Sequence, residues 1–199
     1  MRRMMWLFVV VFVLSALPAF ADKLDPSGAA ADPPSICDGV VNNLVANCGF
    51  ETGDFTGWTL SGNLGFEGVS TSIPNSGAYG GFFGGVGSDN VISQVLPTAP
   101  GLYDISFYLQ SDGGNPNHFA LSWNGVPQLF GNTSAFPYSQ FSLSGIAGLG
   151  GDQISFAIRD DPGFMFLDDV IVTAVPEPGS MVLLASGLFA FAHFRRVRK

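Results

Sequence analysis

The ten residues LYDISFYLQS, 102–111, alternate apolar and polar side chains almost without a break. Tyr103, Ile105, Phe107 and Leu109 fall on one face and Asp104, Ser106, Tyr108 and Gln110 on the other, the period-2 pattern of a strand with one buried side. The same period returns in HFALSW, 118–123, where Phe119, Leu121 and Trp123 point one way and His118, Ala120 and Ser122 the other. Asn124-Gly125 follows at once, and because both residues tolerate positive φ the pair predicts a tight hairpin turn. VISQVLP (91–97), YSQFSLS (138–144), DQISFAIRD (152–160) and FMFLDDVIVTA (164–174) supply further strands, and no stretch sustains helical spacing for three turns. Roughly eight to ten strands in about 138 residues predict an all-β fold, a single antiparallel β-sandwich large enough for its own core. The glycines of YGGFFGGVG, 79–87, miss the GxGxxG spacing and follow no βαβ pattern, so they read as close strand packing and not as a nucleotide loop.

Outward from the strands, the chain changes character at both ends. Arg2 and Arg3 precede an apolar run from Trp6 to Phe20, and Ala19-Phe20-Ala21 provides small residues for a signal peptidase, so residues 1–21 are expected to be a signal peptide cleaved after Ala21 in Sec export. The run falls short of the roughly 20 residues a membrane anchor needs. Residues 22–35, DKLDPSGAAADPPS, have no apolar period and read as a flexible leader; residues 36–174 form the sandwich and 175–199 a separate terminal segment. Residues 22–174 carry two bases, Lys23 and Arg159, against fifteen acids, a net charge of −13. Such a surface repels phosphate backbones, which excludes nucleic acid as a partner and leaves divalent cations and neutral glycans. Cys37 and Cys48 would meet an oxidising compartment after export, and their spacing predicts an intradomain disulfide.

The terminal segment, VPEPGSMVLLASGLFAFAHFRRVRK, begins with two prolines around a glutamate. Pro176 and Pro178 bias Val175 and Glu177 away from helical geometry, so the tripeptide 176–178 should be extended and accessible to a processing enzyme. Residues 179–194 would make an α-helix of about 24 Å against a hydrocarbon core of about 30 Å, a minimal transmembrane helix. Arg195, Arg196, Arg198 and Lys199 form a basic tail, 195–199, that holds this end in the cytoplasm. The order of Pro176-Glu177-Pro178, a short apolar helix and an arginine cluster resembles the PEP-CTERM sorting signal of Gram-negative bacteria. That resemblance implies an exosortase-like transpeptidase as partner, transient residence in the inner membrane, and final placement at the cell surface or in the extracellular matrix.

NCGFETGDFTGW (47–58) and FMFLDDVIV (164–172), with SWNGV (122–126) and AIRDDPGF (157–164) between them, resemble the carbohydrate-binding-module-like, galactose-binding-like jelly roll. The resemblance implies one structural calcium held by Glu51 and Asp168. A physical reading also singles out the acidic pair. If 164–172 is a regular strand, Asp168 and Asp169 point to opposite faces, and both faces are otherwise apolar: Phe164, Phe166, Val170 and Val172 on one, Met165, Leu167 and Ile171 on the other. At least one carboxylate then needs calcium, a partner such as Arg159, or exposure at a strand end.

Glycan recognition uses an aromatic face and polar neighbours. Trp123 and Trp58 read as core, whereas Tyr108, Gln110 and His118 lie on the polar faces of their strands and are the candidates for a groove. Catalysis has little support: His118 is the sole histidine outside the apolar terminal run, and there is no GxSxG turn. The functional expectation is a non-enzymatic exported protein whose sandwich binds extracellular polysaccharide; the rival readings are a structural matrix or biofilm protein without sugar specificity and an unrecognised glycoside hydrolase.

Overall fold

The computed structural model describes residues 33–176; the expected signal peptide, most of the leader, Glu177, Pro178 and the apolar terminal run lie outside the described residues. Ten strands follow a single 3-10 turn at Cys37–Gly39: β1 Thr59–Gly62, β2 Glu67–Ser70, β3 Gly80–Phe83, β4 Asn90–Val95, β5 Pro100–Ser111, β6 Asn117–Trp123, β7 Val126–Gly131, β8 Phe136–Leu149, β9 Gln153–Asp160 and β10 Met165–Ala174. They form two five-stranded antiparallel sheets, ordered β1-β4-β9-β6-β7 and β2-β3-β10-β5-β8. Among the described residues no helix is long and apolar enough to cross a membrane.

The alternation in 102–111 appears directly as burial. Tyr103, Ile105, Phe107 and Leu109 are all in the core while Asp104, Ser106, Tyr108 and Gln110 are only partly covered. Phe119, Leu121 and Trp123 of β6 and Ile154, Phe156 and Ile158 of β9 meet them from the opposite sheet. Phe107 is the junction: its ring lies 5.6 Å from Phe119, 5.5 Å from Phe141 and 5.2 Å from Phe156. Asn124 and Gly125 both take positive φ, 51° and 74°, in the β6–β7 turn. Gly81 of β3 lets the strand approach closely, since a Cβ there would press on the rings of Phe50 and Phe83.

Two features depart from the sequence reading. Ser35, placed by composition in the leader, is buried and its hydroxyl donates to Asp169 at 2.7 Å, so the fold begins before residue 36. The second is β10, which is not regular. Between Asp168 and Ile171 it advances three residues while β5 advances two, from Tyr108 to Ser106, so it carries a β-bulge, and Asp169 sits there with φ +49°. The bulge exchanges faces. Met165 and Leu167 before it and Val170 and Val172 after it all reach the core, whereas Phe166 and Ile171 are only partly covered. Asp168 and Asp169 are therefore not divided between an inner and an outer face, as strict alternation requires; both are fully buried.

Candidate functional site

Three carboxylates converge on the loop that joins β2 to β3, residues 71–79. Asp168 is paired with Tyr108 across β10 and β5, and the loop crosses it: Asn75 N donates to Asp168 Oδ2 at 2.7 Å and Ser76 N at 3.3 Å, while Asp169 N donates to Asp168 Oδ1 at 2.8 Å. Asp169 accepts from Ser35 Oγ, Cys37 N, Asn75 Nδ2 and Ser76 Oγ. Glu51 accepts from Ala78 N at 2.9 Å and Tyr79 N at 3.4 Å, and Gly77 has no room for a Cβ because the Glu51 carboxylate lies against it. The Cys37–Cys48 disulfide, S–S 2.01 Å, fastens the segment that brings Ser35 and the Cys37 amide to Asp169.

This cluster contains no base. Arg159, one of the possible partners for the acidic pair, instead lies 3.6 Å from Asp161, on the far side of β9 from the loop's contacts, and no ion pair reaches Asp168, Asp169 or Glu51 among the described residues. Burial, then the Asp169 charge beside it, pushes the Asp168 carboxyl up to about 8 against the pull of its three amide donors. The same burial and the two aspartate charges raise the phenol of Tyr138, whose hydroxyl donates to Ile73 O at 2.7 Å and so holds the loop down. The donors are carboxylate oxygens, the chemistry of a hard cation, but Glu51, Asp168 and Asp169 do not bring them all within 4.8 Å of one another.

The three polar-face residues do not form one groove. Tyr108 and Gln110 lie on β5, in the second sheet, and His118 lies on β6, in the first, each on the side away from the core. His118 Nδ1 is 3.0 Å from Asp89 Oδ2, where β4 and β6 of its own sheet begin. What does gather around Gln110 is aromatic. Registers run Gly68 to Phe82, Phe82 to Phe166 and Phe166 to Gln110 in one row across four strands. Phe164 stands beside the row, 5.6 Å from Phe82 and 6.5 Å from Phe166 between ring centres, and all three rings are partly exposed. Phe82 lies over Gly68, where any side chain would collide with it. Alternation alone groups Phe164 and Phe166 with the inward-facing Val170 and Val172; an acidic pair inside an otherwise apolar strand is the sequence signal that the faces change there.

The two five-stranded antiparallel sheets define a jelly-roll β-sandwich. It is similar to TmCBM61 in complex with beta-1,4-galactotriose, at 22% identity over 68% of this chain and 100% of that one, with a TM-score of 0.59. A cleaved adhesin domain of Lys-gingipain from Porphyromonas gingivalis is similar at 18% identity over 64% and 96%, TM-score 0.53. The CBM22-1-GH10 modules of endo-1,4-beta-D-xylanase 10B from Clostridium thermocellum, complexed with xylohexaose, match at 17% identity over 69% of this chain and 30% of that one, TM-score 0.50. No curated protein matches the sequence. Residues 174–199 carry the PEP-CTERM protein-sorting motif, so Pro176, Glu177 and Pro178 belong to a sorting signal placed directly after β10.

Proposed function

We propose that this chain is an exported cell-surface or extracellular-matrix protein of a Gram-negative bacterium, sorted through Pro176-Glu177-Pro178 by an exosortase-like partner after transient residence in the inner membrane, and that its sandwich is a non-catalytic polysaccharide-binding module. The observation that carries the binding role is the partly exposed row of Phe82, Phe166 and Gln110 with Phe164 and Tyr108 beside it. Flat rings offer a stacking surface to a sugar ring, and the Gln110 amide can orient its hydroxyls. A non-enzymatic role is supported by the similar structures, which include a carbohydrate-binding module and an adhesin domain.

Calcium belongs to the same proposal. Glu51 and Asp168, with Asp169 beside them, would close on it, and its charge would offset carboxylates that no base approaches among the described residues. Bound there, it would fix the 71–79 loop beside the aromatic row.

The purified sandwich should bind a β-1,4-galactan or xylan in affinity electrophoresis, polymers chosen because the similar structures hold galactotriose and xylohexaose. Tyr108→Ala and Phe166→Ala should each weaken binding about tenfold, which corresponds to roughly 1.4 kcal/mol. Binding to no polysaccharide in a broad panel would favour the structural matrix reading, and release of reducing sugar would favour the hydrolase.

A further inference from the structure

We propose that the end of the sandwich from which the C-terminal segment departs is a membrane-docking surface that rests on lipid headgroups while the acidic end points away. The proposal rests on the reading of residues 179–194 as a membrane span, and it adds a role for the folded domain that the sorting signal does not imply.

Four segments, 95–102, 123–128, 145–153 and 173–176, meet at this end. Val95 pairs with Gln153, Trp123 with both Ile154 and Val126, Pro100 with Leu149, and Tyr103 with Ala174. The one ionisable side chain in these segments is Asp152, and it is buried. Thr98 Oγ1 donates to it at 2.6 Å, Asn124 Nδ2 at 2.6 Å and Leu149 N at 3.0 Å, so it ties three of the loops together beneath the surface. Large apolar side chains stand out from this rigid base: Val95 is 64% exposed, Leu102 50%, Val126 59% and Leu149 77%. The opposite end also exposes Leu64, Phe66 and Val86, but it is far more acidic. Its turns and strand ends carry Glu67, Asp89, Asp112, Asp160 and Asp161 against the lone Arg159.

Chain connectivity identifies lipid as the occupant. Val175 N donates to Leu102 O at 2.8 Å, so the chain is pinned to β5 as far as Val175. Only Pro176, Glu177 and Pro178 separate that point from Gly179, where the apolar run begins. The four steps from Val175 to Gly179 can span at most about 14 Å. A headgroup layer is roughly 6 Å deep on each side of the hydrocarbon, so this end of the sandwich lies within about 8 Å of the headgroups whenever the run is inserted. Asp104, opposite Thr173 and bonded to Gly145 N, is the one partly exposed acid among the described residues at this end, and the apolar side chains around it lose no charge solvation there. The ten residues of β10 carry the chain about 33 Å from the other end, several Debye lengths from anionic headgroups at physiological salt.

The test uses the full-length chain reconstituted in vesicles of phosphatidylethanolamine and phosphatidylglycerol, with an environment-sensitive fluorophore on Leu149→Cys or, as the far-end control, on Val86→Cys. Both positions are exposed, so neither label disturbs the core, and the native cysteines are paired. Brominated lipid should quench the label at position 149 at least threefold more than the label at 86. Equal quenching at both positions, or none at either, in a chain that floats with the vesicles overturns docking and leaves the membrane span intact. A chain that does not float at all overturns both.

Discussion

Asp168 and Glu51 hold the middle and the far end of one short loop: Asp168 takes the amides of Asn75 and Ser76, and Glu51 those of Ala78 and Tyr79. The loop is thus clamped by acids from opposite ends of the domain sequence, with Asp169 between them on the side chains of Asn75 and Ser76. Amide and hydroxyl donors satisfy the oxygens, and the calcium proposed for this site would offset their charge. A chelator should therefore lower the melting temperature of the purified sandwich, and added calcium should restore it. At a hundredfold excess over Kd the restored stability is about 2.7 kcal/mol. Asp168→Asn should abolish the calcium response; a variant that keeps it, or a wild type indifferent to chelator, removes Glu51 and Asp168 as ligands.

Much of this architecture is legible in the sequence because a half-buried strand writes its burial pattern at period two, as Tyr103 to Leu109 and Phe119 to Trp123 do. The hairpin at Asn124-Gly125 is legible for a local reason, the positive φ both residues adopt. β10 is different. Its bulge is set by the tertiary demand of the acidic pair, whose partners Ser35, Asn75 and Ser76 lie far away in sequence. Which sheet a strand joins is equally non-local, and so Tyr108 and His118, alike in pattern, end on different sheets.

Reduction should loosen the acid cluster as well as the chain. The Cys37–Cys48 loop has a sequence separation of 11, and closing a loop of that size is worth about 2 to 3 kcal/mol in the chain-entropy model. Cys37 N also donates to Asp169. Cys37→Ser/Cys48→Ser should lower the urea midpoint accordingly and weaken calcium affinity in the same sample. An unchanged calcium affinity in the less stable variant would separate the two roles.

Asp160 gives the domain a pH dependence. It is fully buried, and burial followed by the Asp112 charge pushes it up to about 6, with the Ser111 hydroxyl pulling the other way. The folded state therefore prefers the protonated acid. Stability from this group is complete below about pH 4 and declines as pH rises through 6, by on the order of 2 kcal/mol. Asp160→Asn should erase that decline, so the variant gains on the wild type between pH 4 and 7.5 in urea titrations. Parallel curves for the two proteins would show that Asp160 does not titrate in this range.

Phe107 and Phe166 provide the sharpest contrast between packing and platform. Phe107 is 0% exposed and touches aromatic rings from both sheets, so Phe107→Ala leaves a cavity that its neighbours Phe119, Phe141 and Phe156 cannot fill. The expected loss is about 3 to 5 kcal/mol, a large share of the roughly 5 to 15 kcal/mol that holds a domain together. Phe166 lies one strand away on the outer side of the same sheet and is only partly covered, so Phe166→Ala gives up less burial and leaves no enclosed void. Its cost should stay under about 1.5 kcal/mol by lost apolar area. Urea unfolding of the two variants measures both, with the glycan affinity of Phe166→Ala read in parallel. If Phe166→Ala proves as destabilising as Phe107→Ala, the outer row is packing and not a sugar platform. A small stability loss joined to a tenfold affinity loss assigns it to recognition.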